Sequence, residues 1–151
     1  MAALVALGFV VMARDDLRTG QVVVRQAQIT TLVAVVGLGL PAALTGRWGA
    51  LISAAVGAVV ITGVQAVPYL AQRRLRRAMI GRADVRLAVP FGWTLGMFGL
   101  GWALLGFAVA LVAGLLTAAI TRREQMPFVP FLTAGLVVGL VAAGAYQLSG
   151  S

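Results

Sequence analysis

Across 151 residues the chain is 61% hydrophobic and 11% charged, with a mean hydropathy of +1.00. Soluble domains run at about half apolar and a quarter charged, so this chain has too little polar surface to face water. A soluble globular fold is excluded, and the composition predicts a single all-α domain, a polytopic membrane bundle of about six transmembrane helices.

Residues 1–13 form the first apolar run, which is short for a full span of about 20 residues. No basic residue precedes it and no small-residue cleavage site separates it from Asp15 and Asp16, so it reads as a helix rather than a signal peptide. It either continues through the aspartates or lacks residues upstream of Met1. A second run, residues 29–44, carries Pro41 and closes at Thr45, Gly46, Arg47 and Trp48. The spacing predicts a short turn there, with Trp48 at the headgroup level that aromatic rings favour.

The third run, residues 50–70, is long enough to span and ends in the basic segment 72–77. Residues 87–100 make a shorter run interrupted by Pro90, Gly92 and Gly96. Residues 101–120 and 131–146 supply the fifth and sixth helices. Gly92 with Gly96, and Gly135 with Gly139, have the small-xxx-small spacing that lets membrane helices approach closely. Trp93, Trp102 and Tyr146 read as interface or packing residues.

The net charge of +8 comes from twelve arginines against four carboxylates. Clustered arginines also bind nucleic acid, but their placement follows the connections. Arg14, Arg18 and Arg25 lie in the first, Arg73, Arg74, Arg76, Arg77, Arg82 and Arg86 in the third, and Arg122 and Arg123 in the fifth. Only Arg47 falls elsewhere. Six helices put those three connections on one side, and the positive-inside rule makes that side the cytoplasm of a cell membrane. A lipid bilayer rather than a nucleic acid is therefore the expected partner.

The chain has no cysteine and no histidine, which excludes disulfides, thiolate nucleophiles, Cys/His zinc sites and a Ser-His-Asp triad. No metal or cofactor is expected. Chemistry must come from Asp15, Asp16, Asp84 and Glu124, the four carboxylates. An ionisable group at the edge of a membrane helix is expensive and needs a partner or a task. Asp15 and Glu124, flanked by arginines, read as solvated charges. Asp84 sits where a glycine-containing segment enters an apolar helix, and spacing alone leaves open a capping aspartate or a functional one. Asp16 and Asp84 are expected on the same side of the membrane. Two such carboxylates a few ångströms apart share a proton. The ionised member can then deprotonate water while the protonated one polarises a carbonyl.

At these residues the chain resembles the type IV prepilin leader peptidases, membrane aspartyl proteases of the GxGD class. Their first motif, an aspartate followed by Leu-Arg-Thr, is matched by Asp16-Leu17-Arg18-Thr19. Their Gly-x-Gly-Asp, followed by Val-Lys-Leu, is similar to Gly81-Arg82-Ala83-Asp84-Val85-Arg86-Leu87. A further stretch resembles Met126-Pro127-Phe128-Val129-Pro130-Phe131-Leu132-Thr133-Ala134-Gly135. The three matches stand in the family's order and cover most of the chain. The departures are Ala83 for the second glycine, Val22-Val23 for an Ile-Pro pair, Arg86 for lysine, and Pro90 and Phe91 where small residues are common.

The resemblance implies a short, peptidase-only form. It would be an aspartic-type endopeptidase that cleaves the leader of prepilin-like proteins for a type IV pilus or secretion system. Asp16 and Asp84 would be its catalytic dyad, and Gly81 and Ala83 would shape the active-site loop. The alternative is a non-enzymatic membrane protein, a small transporter or an assembly factor, that keeps the bundle without the chemistry.

Overall fold

In lipid every backbone N–H and C=O must be paired within its own segment, so apolar runs of this length become helices. The computed structural model describes residues 1–19, 24–75, 82–121 and 128–149, and among these residues there are six α-helices and no strand. They are α1 (Ala2–Thr19), α2 (Val24–Leu44), α3 (Trp48–Leu75), α4 (Arg82–Gly96), α5 (Leu100–Thr121) and α6 (Val129–Ser149). Each expected run is a helix, extended at one or both ends except α4, which is displaced toward the N-terminus. The first continues through both aspartates to Thr19. α4 begins five residues ahead of its apolar run, because Arg82, Ala83 and Arg86 are good helix formers and no glycine interrupts them. It stops at Gly96, before Gly99, whose φ of 128° is open only to glycine.

α2, residues 48–67 of α3, α5 and α6 are long and apolar enough to cross a membrane. The chain is thus a helical membrane protein. α1 carries Arg14, Asp15, Asp16 and Arg18 in its last two turns. α4, with 15 residues, rises about 22 Å, short of a hydrocarbon core of about 30 Å. Among the described residues it is nevertheless the one helix that touches all the others. Leu87, Ala88, Pro90, Phe91, Thr94 and Leu95 are fully buried along it. The shortest helix is sheathed by protein and needs no match to the bilayer, whereas Leu32, Val59, Leu115 and Val141 on the outer helices are exposed, as lipid contact requires.

Small residues set the packing. Gly57 of α3 and Gly92 of α4 meet backbone to backbone, Gly96 lies against Ala54, and Gly106 of α5 faces Gly135 of α6. Gly139 accommodates the Leu95 side chain. At the centre the Phe91 ring stands edge-on to Phe9 (6.4 Å) and Phe107 (6.2 Å), joining α1, α4 and α5. Phe91, which departs from the pattern of the family that the sequence resembles, is the middle of this cluster.

The same contacts fix direction. Gly8 lies opposite Thr30 and Gly37 opposite Met1, so α1 and α2 are antiparallel. Gly57 with Gly92 and Ala54 with Gly96 make α3 and α4 antiparallel, and Gly106 with Gly135 and Gly114 with Phe128 do the same for α5 and α6. α1 runs against α6, since the Thr133 hydroxyl donates to the Phe9 carbonyl (3.2 Å), sharing its proton with Val129 O (2.9 Å), while the Val129 N–H meets Asp16, farther along α1. The ends of α1, α3 and α5 and the starts of α2, α4 and α6 therefore lie at one end of the bundle. Thr133→Val keeps the volume and removes this hydrogen bond between α1 and α6. Thermal unfolding in detergent should show a loss of about 1 kcal/mol.

α2 ends in a Schellman motif. Arg47 N–H donates to Ala42 O (2.8 Å) and Gly46 N–H to Ala43 O (3.1 Å), with Gly46 at φ 69°. No side chain stands within 4 Å of a Cβ built there, so Gly46→Ala meets only the left-handed backbone penalty. The same unfolding measurement should register about 1 kcal/mol.

Candidate active site

Successive residues of a helix point about 100° apart, so Asp15 and Asp16 cannot share an environment. Asp15 is half-buried and accepts a hydrogen bond from Gln26 Nε2 of α2 at 3.0 Å. Asp16 faces inward and is 7% exposed. Its carboxylate accepts the backbone N–H of Val129, the first residue of α6. That N–H is one of the donors a helix start leaves without an internal partner. Asp16 Oδ2 is buried and has no hydrogen-bond partner among the described residues. Of the adjacent aspartates, one is therefore tied to α2 and the other sits inside the bundle with acceptor capacity to spare.

Ala83 and Asp84 belong to the first turn of α4, so the segment expected as a loop is helical from Arg82 onward. Asp84 lies two residues inside the helix start, past the Ncap position. The side chains of Ala83 and Asp84 lie outside the described residues, as do all of Gly81, Val22, Val23, Glu124, Met126 and Pro127. Two of the three segments that carry the resemblance, the end of α1 and the start of α4, are at the same end of the bundle, and so is the start of α6. Phe128 and Phe131, from the third segment, pack their rings 6.3 Å apart, with Phe128 against Gly114 of α5. They close the α5–α6 seam.

Arg14, Arg18, Arg25 and Arg86 are exposed at this end, and Arg47 is exposed at the other. Anionic headgroups and an acidic or basic ligand would meet a positive rim here before reaching Asp16. The opposite end carries Trp48, exposed, and a tilted Trp102–Tyr146 pair at 5.8 Å, the belt position such rings occupy.

One residue absent from the sequence-derived set stands out. Gln65 of α3 is 4% exposed, and neither Nε2 nor Oε1 has a hydrogen-bond partner among the described residues. Thr62, one turn earlier, has an unpaired Oγ1 as well. A glutamine inside a run long enough to span was the available signal, since polar side chains in membrane helices face the bundle interior and carry function.

Fold and site together define a polytopic helical membrane protein with a buried aspartate near one end of the bundle. No protein-family model matches the chain, and no curated protein or solved structure matches it either.

Proposed function

We propose that the chain is a membrane aspartyl endopeptidase that removes the short basic leader from prepilin-like proteins at the cytoplasmic face of the cell membrane. The observation that carries this reading is the buried Asp16 with its unpaired Oδ2, at the bundle end where α4 and its Asp84 begin. Support also comes from the order of the three resembling segments and from the arginine-rich rim, which the positive-inside rule assigns to the cytoplasm.

In this mechanism Asp16 and Asp84 hold one proton between them and titrate jointly. The ionised carboxylate takes a proton from a water whose oxygen bonds to the scissile carbonyl carbon. The protonated carboxyl gives its proton to the carbonyl oxygen, leaving a neutral tetrahedral diol. Collapse of the diol breaks the C–N bond, one hydroxyl proton returns to the dyad, and the other carboxyl protonates the leaving nitrogen. Atoms and charge balance with water as the only co-reactant.

The test is cleavage by the purified full-length chain, reconstituted in vesicles, of a small protein with a basic leader ahead of an apolar helix. A product shortened by the leader is expected. Proton-coupled solute uptake by the same vesicles with no cleavage of any leader-bearing substrate would replace this reading with the transporter one.

A further inference from the structure

Resting on the proteolytic reading above, we propose that Gln65 is a substrate-binding residue of the same site, whose side-chain amide pairs with a peptide group of the substrate backbone beside the scissile bond. An amide held away from water without partners is costly, and native interiors pair nearly all of theirs. Gln65 leaves both its donor and its acceptor open within a membrane-crossing stretch. Leucine or methionine would fill the same space without that cost, so packing gives no reason for a glutamine.

Depth connects Gln65 to the candidate dyad. α3 and α4 are antiparallel and in backbone contact at Gly57 and Gly92. Eight residues separate Gly57 from Gln65, and eight separate Gly92 from Asp84. Both intervals rise about 12 Å toward the same end of the bundle. Gln65 and position 84 therefore stand at matched depth on neighbouring helices. α1 and α3 make no contact with each other among the described residues, and both touch α4. Asp16 and Gln65 thus approach the start of α4 from different helices, and a peptide lying across that start can reach both.

The chemistry of the open valences selects the occupant. Glutamine offers one carbonyl acceptor and an NH2 donor in one plane. A peptide group presents the complementary N–H and C=O, whereas a carboxylate or an ammonium would satisfy one side only. Recognition of that kind reads the backbone and tolerates varied side chains, as an extended substrate segment requires. Thr62, on the same face of α3 three residues before, adds a second unpaired group. Thr31, Thr117 and Thr121 instead return their hydroxyls to a carbonyl of their own helix.

The experiment uses the full chain in detergent with a fluorescent leader-bearing peptide. Binding is measured in an Asp16→Asn background, which does not turn over, with and without Gln65→Met. Gln65→Met should weaken binding about tenfold, the loss of roughly one well-made hydrogen bond, and should lower kcat/KM at least as much in the Asp16 chain. Its melting temperature should stay level or rise. A parallel series replaces single peptide groups near the scissile bond with esters, removing one N–H at a time. One ester position should weaken binding to the Gln65 chain and have no further effect with Gln65→Met. Wild-type-like binding by Gln65→Met, or no ester position that discriminates, overturns the role of Gln65 while Asp16-dependent cleavage stands. A fall in melting temperature with unchanged binding overturns it in favour of a structural role. Absence of cleavage by the wild-type chain overturns the proteolytic reading, and this inference with it.

Discussion

Asp16→Asn should leave the bundle folded and lower the cleavage rate at least about a thousandfold, the upper range of a positioned acid–base group. The new amide keeps one carbonyl oxygen to accept the Val129 N–H that Asp16 now accepts, so α1 and α6 stay joined. Its NH2 replaces Oδ2, an oxygen that has no partner among the described residues, and a buried ionisable group disappears. Melting in detergent should therefore show a temperature equal to or above that of the parent. Asp84→Asn should cost a similar factor. The double variant should be no slower than either single one, because groups that act as a unit lose their whole contribution when the first is removed. Asp15→Asn is the control. Asp15 is tied to Gln26, lies on another face of α1, and its substitution should keep cleavage within a few fold. Single-turnover cleavage with excess enzyme measures all four. Activity within tenfold of the parent in Asp16→Asn, or a drop confined to Asp15→Asn, would reject the assignment of Asp16.

Much of the scaffold is legible in the sequence because the rules of lipid are strict. Uninterrupted apolar runs have to be helices, Gly46 after residues 29–44 has to end one, and the small-xxx-small pairs at Gly92/Gly96 and Gly135/Gly139 mark close crossings that are seen against α3, α5 and the Leu95 side chain. What hydropathy cannot reveal is rank. Residues 87–100, the weakest run, overlap the helix at the centre, α4, because a segment surrounded by protein escapes the length and apolarity that lipid demands. Phe91 looks like an intrusion among small residues, yet it is the ring that Phe9 and Phe107 close upon. That is a three-helix contact invisible to any local pattern. Motif resemblance prefers Asp16 to Asp15, and the turn of about 100° between them separates a buried Asp16 from an Asp15 bonded to Gln26. Gln65 stands out in the sequence as an amide inside an apolar run, but a single residue carries no periodicity that would place it against the other helices. Its meaning depends on the register of α3 against α4, which only the Gly57–Gly92 contact reveals.

That contact should also tolerate no added side chain. A Cβ at Gly92 would meet the Gly57 carbonyl oxygen, with Gly57 C at 2.7 Å and Ala58 Cα at 2.8 Å, and all of these are backbone atoms that no rotamer change can move. Overpacking where side chains can yield costs about 1–3 kcal/mol. Gly92→Val, adding three carbons against a fixed backbone, should cost more than about 3 kcal/mol, enough to leave little folded protein. Gly63→Ala on α3 is the matched control. A Cβ there meets nothing within 4 Å, and replacing a helical glycine should gain up to about 1 kcal/mol. Unfolding of the two variants in mixed detergent separates the crossing from mere loss of a glycine. Equal stability in both would mean that α3 and α4 do not touch at Gly57 and Gly92. The distinction matters for the proposed function, since α4 carries Asp84 and α3 carries Gln65. Gly92→Ala adds that Cβ without the two further carbons, so it should spread the crossing less than Gly92→Val and lose cleavage before its fold is fully lost. On the proteolytic proposal, spreading two helices by a fraction of an ångström per turn moves a peptide out of reach of the proposed acid–base pair long before it exposes the apolar core.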